Sequence, residues 1–88
     1  MNKDVKITIP KYENGTLMLC WEDKFSIKCA IDQNGAVVLS ANSAGLISFA
    51  RHLLTLAQND VPECTHLHFD EFNSLESGSK EVVIVKIP

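Results

Sequence analysis

Residues 43–58, SAGLISFARHLLTLAQ, constrain the fold more than any other stretch of the chain. At 100° per residue, Leu46, Ile47, Phe49, Ala50, Leu53, Leu54, Leu56 and Ala57 fall within one arc about half the circumference wide. Gly45, Ser48, Arg51, His52, Thr55 and Gln58 occupy the other arc, which holds no large apolar side chain. The pattern predicts an amphipathic helix laid with its apolar face on a flat layer, leaving Ser48, Arg51, His52 and Thr55 as a solvated polar face. Asn42 and Ser43 are both suited to the N-cap, Gly45 would permit close approach to a neighbour, and Pro62 bars continuation.

The segments on either side read as strands. Val5, Ile7 and Ile9 alternate with polar residues over 4–9, and Leu17, Leu19 and Trp21 share a face over 16–22. Phe25, Ile27, Cys29 and Ile31 share a face over 25–31, and residues 36–40 form a fourth run after the turn signal Asn34-Gly35. Residues 65–69 and 81–87 supply two more, separated by a polar loop over 70–80. The expectation is one α+β domain spanning 1–88: an antiparallel sheet of five or six strands with the helix on one face, in the order ββββαββ. Trp21 shares the face of Leu17 and Leu19 and is expected in the core. One helix covers one face, so the second, open sheet face would be a surface for a homodimer to bury.

Composition narrows the function classes. A formal net charge of −3, with the basic residues scattered, argues against nucleic-acid binding through a basic surface. No stretch resembles a signal peptide or a membrane span, so a cytoplasmic protein with no membrane contact is expected. Three cysteines without C-x-x-C spacing agree with a reducing compartment, and Cys20 and Cys29, in apolar runs, read as buried.

One constellation carries chemistry. On a strand, His66, His68 and Asp70 point the same way, and two histidines at i and i+2 with a carboxylate can ligate a metal. No further cluster supplies a fixed additional ligand, so neither a metal nor any other cofactor is expected, and no nucleophile motif or phosphate-cradling loop is present.

Residues 41–58 (ANSAGLISFARHLLTLAQ), 65–70 (THLHFD) and 75–87 (LESGSKEVVIVKI) together resemble the bacterial immunity protein 32 family, small proteins of polymorphic toxin systems. Asn42, Gly45, Leu53, Leu54, Leu56, Ala57, His66, His68, Asp70, Leu75, Glu76 and Ser79 carry the likeness, which covers about half of the chain. The resemblance implies a non-enzymatic immunity protein that binds and neutralises a cognate bacterial toxin. The expected contact residues are His66, His68, Asp70, Glu71 and Glu76 on the 65–70 strand and the following loop, then Arg51 and His52 on the polar helix face. Two other readings stay open from the residues alone: a small metal-dependent enzyme using His66, His68 and Asp70, and a homo-oligomeric interaction module.

Overall fold

A computed structural model describes all 88 residues. The elements are β1 (Ile27–Ile31), β2 (Val37–Ala41), α1 (Ser43–Leu56), β3 (His66–Phe69) and β4 (Val82–Val85). They form two separate two-stranded antiparallel sheets, β1–β2 and β3–β4, rather than one sheet of five or six strands. The class remains α+β, and the order is ββαββ.

The missing strands are the two nearest the N-terminus. Residues 4–9 and 16–22 join no ladder, and the only pairing there is an isolated bridge between Glu13 and Thr16. Their alternation is real in another sense: Leu17, Leu19 and Trp21 pack on the core while Met18 and Cys20 face outward. Alternation reports which side chains are buried, and it does not by itself supply a hydrogen-bonding partner strand. Cys20 is consequently exposed, contrary to the expectation, whereas Cys29 is buried.

The β1–β2 hairpin closes where Asn34-Gly35 predicts a turn. Asp32 Oδ1 accepts from the N–H groups of Asn34 and Ala36 at 2.8 and 2.9 Å, and Gly35 takes φ +82°. The register sets Ile27 opposite Ala41, Cys29 opposite Leu39 and Ile31 opposite Val37. The 70–80 loop occupies the other edge of β1. Glu76 N–H donates to Ile27 O at 2.9 Å, Lys80 N–H donates to Cys29 O at 2.8 Å, and Cys29 N–H donates to Ser79 Oγ at 3.1 Å. This loop joins the two hairpins, because β4 follows it directly.

Helix α1 is turned the other way round from the sequence expectation. Gly45, Ser48, His52 and Thr55 are buried together with Leu56, while Leu46, Ile47, Leu53 and Leu54 are 40–60% exposed. The inward face is small and polar because each polar group has a local use or an aromatic neighbour. Ser48 Oγ accepts from Glu22 N–H at 2.8 Å, and Thr55 Oγ1 donates to Arg51 O at 2.7 Å. His52 lies edge-on to Trp21, with ring centroids 4.2 Å apart, and stacks on Phe69 at 5.8 Å. Trp21 in turn stacks on Phe25 at 4.3 Å. The bulk of this contact thus comes from the opposing aromatic side chains, and the helix contributes small residues that let them close in. Ile27, Cys29, Leu56, Val61, Leu67, Phe69 and Leu75 complete the core.

Asn42 holds the start of the helix. Its Oδ1 accepts from Gly45 N–H at 2.8 Å, which caps α1, and from Ser26 N–H at 3.0 Å. Its Nδ2 donates to Lys24 O at 2.9 Å. Asn42→Ala removes the cap and both ties to 24–26, and is expected to destabilise the protein by about 2 kcal/mol in urea titrations. Asn42→Asp keeps the two acceptor bonds and is expected to recover about half of that loss. At the far end Lys86 Nζ donates to Gln58 O and Val61 O at 2.7 and 2.8 Å, satisfying carbonyls just past the helix.

Candidate functional site: the outer face of the second hairpin and its loop

Strand β3 alternates cleanly: Leu67 and Phe69 are buried, and His66 and His68 are exposed. The register places Val85 opposite His66 and Val83 opposite His68. These two valines are 49% and 45% exposed, so the outer face carries two imidazoles and two apolar side chains side by side. The histidine rings meet edge-on with centroids 5.0 Å apart. His66 Nδ1 lies 3.1 Å from Cys64 O, and His68 Nδ1 lies 3.6 Å from Glu81 Oε2.

The loop beside this face is stitched from within. Asp70 Oδ1 accepts from the N–H groups of Phe72 and Asn73 at 2.9 and 3.1 Å, and Asp70 O accepts from Leu75 N–H at 2.8 Å. Asn73 Oδ1 returns a bond to Asp70 N–H at 3.0 Å, and its Nδ2 donates to His68 O at 3.1 Å. Glu71 Oε2 accepts from Gly78 N–H at 2.6 Å, and Glu76 Oε1 accepts from Ser26 Oγ at 2.8 Å. An aspartate accepting from the second and third amides downstream is the Asx-type arrangement that fixes a turn without a ladder. At the tip of this fixed turn stands Phe72, 90% exposed.

The expected site residues therefore separate into three groups. His66 and His68 lie together on the outer face, exposed to solvent. Asp70, Glu71 and Glu76 sit in the loop, each with its carboxylate engaged inside the protein. Arg51 and His52 are not on a free helix face. Arg51 Nη1 pairs with Glu22 Oε2 at 2.9 Å and its Nε donates to Thr8 O at 3.0 Å, and its side chain is only 14% exposed. His52 is fully buried, and burial together with the neighbouring Arg51 charge lowers its pKa from 6.5 to about 4. Asp70, turned into its own loop, does not join the two histidines as a third ligand, and no three His, Cys, Asp or Glu side chains converge on one point. Val83 and Val85 belong to the second sheet face that the sequence predicts to be open, whereas Phe72 goes unmarked within the polar 70–80 loop. The signal for Phe72 was available: a lone large aromatic inside a polar loop, two residues after an aspartate.

The outer face of this small α+β protein thus exposes an aromatic tip, two imidazoles and two valines, carried on hydrogen-bonded backbone. The chain belongs to the immunity protein 32 family, which matches residues 36–87. The match takes in β2, α1, β3, the 70–80 loop and β4. No curated protein and no solved structure matches the chain. No helix is long and apolar enough to cross a membrane.

Proposed function

We propose that this protein binds a cognate toxin of a bacterial polymorphic, contact-dependent system in the cytoplasm and blocks it by stoichiometric contact, without turnover. Family membership supports the immunity role. The observation that carries the surface assignment is Phe72, 90% exposed on a turn that Asp70 and Asn73 hold rigid. An aromatic ring on preorganised backbone loses little conformational freedom when it enters a pocket, and such residues dominate binding energies. His66, His68, Val83 and Val85 continue the contact, with Asp70, Glu71 and Glu76 shaping the loop and lending it negative charge.

The test begins with the neighbouring gene. Its C-terminal region is expressed under tight control with and without this protein, and growth and co-purification are scored. Rescue with a co-purified complex is expected. Phe72→Ala is then expected to weaken binding at least about 30-fold, a loss of about 2 kcal/mol, while leaving the melting temperature unchanged. Full-strength binding by Phe72→Ala and by the double variant His66→Ala/His68→Ala would remove this surface from the proposal.

A further inference from the structure

His66 and His68 stand as a pair of metal ligands stands. The chain has three histidines, and the third, His52, is fully buried. His66 and His68 are two residues apart on β3, both exposed on its outer face, with ring centroids 5.0 Å apart. A metal ion about 2.0–2.1 Å from one nitrogen of each of two imidazoles, at the tetrahedral angle, holds the ring centroids about 5 Å apart. The strand thus sets the rings at the separation that one shared ion requires.

Each ring is also turned as a ligand's ring is turned. His66 Nδ1 lies 3.1 Å from Cys64 O. A carbonyl oxygen accepts and cannot donate, so the proton of the neutral ring sits on Nδ1 and the lone pair on Nε2. His68 Nδ1 lies 3.6 Å from Glu81 Oε2, and a carboxylate at ion-pair distance favours the proton on that same nitrogen. Metal-bound histidines almost always present one nitrogen to the ion and turn the other N–H toward a carbonyl, a carboxylate or water. Val85 and Val83 lie opposite the two histidines in the ladder and form an apolar border beside the rings, which strengthens polar interactions there. Two imidazole nitrogens suit zinc, copper or nickel, whereas magnesium and calcium take oxygen ligands.

We propose that His66 and His68 chelate one divalent transition-metal ion of the zinc class through their Nε2 atoms. Counting ligands along the sequence gives no such site, and Asp70 indeed turns into its own loop and no third side chain converges. The site is therefore a two-ligand chelate, whose remaining coordination positions hold water. It lies on the face proposed for the toxin contact but does not depend on that reading, because it is tested on this protein alone.

The test is calorimetric titration of the untagged protein with zinc chloride, paired with long-range proton–nitrogen NMR of the histidine rings. One Zn²⁺ per chain is expected, with a dissociation constant below about 100 µM. The Nε2 resonances of His66 and His68 should shift while both Nδ1 atoms stay protonated, and the buried His52 ring should not respond. His66→Ala and His68→Ala are each expected to weaken binding at least about tenfold. Glu81→Gln keeps both ligands and is expected to weaken binding about tenfold by loosening the His68 ring. All three side chains are exposed, so circular dichroism and melting temperature should stay at wild-type values. Cys64→Ser keeps the carbonyl, removes the neighbouring thiol and is expected to bind as the wild type does. A wild-type dissociation constant above about 100 µM would overturn the proposal. So would full-strength binding by either histidine variant, zinc held by Cys64 in their place, or metal-induced shifts at Nδ1 instead of Nε2.

Discussion

Gly45→Val is expected to unfold the protein or to destabilise it by more than about 3 kcal/mol, and Gly45→Ala by about 2 kcal/mol. The cause is steric. A Cβ at position 45 would collide with Ser26 O and would lie 2.9 Å from Ile27 Cγ1 and 3.1 Å from Ala41 Cβ. The first obstacle is backbone, and it is held, because Ser26 O accepts from Asn42 N–H at 3.1 Å while Ser26 N–H donates to the Asn42 side chain. It cannot swing aside as a side-chain end would. In a helix interior alanine is intrinsically better than glycine by about 1 kcal/mol, so the substitution starts with an advantage that the clash must exceed. Urea titration of both variants checks the ranking. Gly45→Ala matching the wild type would mean that the helix does not approach the 26–27 backbone this closely.

The same close approach explains which parts of the fold were legible. Local chemistry was: Asn42 caps the helix, Asn34-Gly35 turns the first hairpin, and β1, β3 and β4 fall within the expected segments while β2 runs one residue past its own, to Ala41. The direction the helix faces was not. The arc argument assumes that the larger apolar face turns toward the chain's own core. Here Gly45 and Ser48 admit the backbone and the aromatic cluster of the opposite layer, so the small, polar arc goes inward with Leu56 and Phe49 at its edge, and Leu46, Ile47, Leu53 and Leu54 are left outside. Gly45, Ser48, His52 and Thr55 are spaced 3, 4 and 3 residues apart, which is a helix face in its own right. Read by size rather than polarity, that face is the one suited to close packing.

The site was legible to a similar depth. His66 and His68 were placed on an exposed strand face, and they are there. Asp70, Glu71 and Glu76 were read as groups offered to a partner because a sequence shows charge and not hydrogen bonding. Each instead closes a bond inside the protein. Arg51 and His52 followed the helix into the interior.

Acid is expected to destabilise the protein through His52, and the effect is expected to vanish in His52→Leu. The ring is fully buried between Trp21 and Phe69, and neither nitrogen has a hydrogen-bond partner within the protein. Nothing there stabilises an imidazolium, and the neighbouring Arg51, itself paired with Glu22, opposes it. The pKa is lowered from 6.5 to about 4, so between these values the unfolded chain binds a proton that the folded one does not. Stability from this residue is therefore complete above pH 6.5, falls as the pH drops, and levels off below about pH 4. The loss amounts to about 2 kcal/mol at pH 5 and about 3 kcal/mol at pH 4. Carboxylates also titrate near the lower end, so the quantity to measure is the difference between wild type and variant in urea titrations at pH 7, 6, 5 and 4. Leucine fills nearly the same volume and leaves no polar atom unpaired, so His52→Leu should equal or exceed the wild type at pH 7. Its advantage should then widen steadily toward pH 4. Parallel curves for the two proteins would show that His52 is protonated in the folded state at its ordinary pKa, and hence that the aromatic cage opens to solvent.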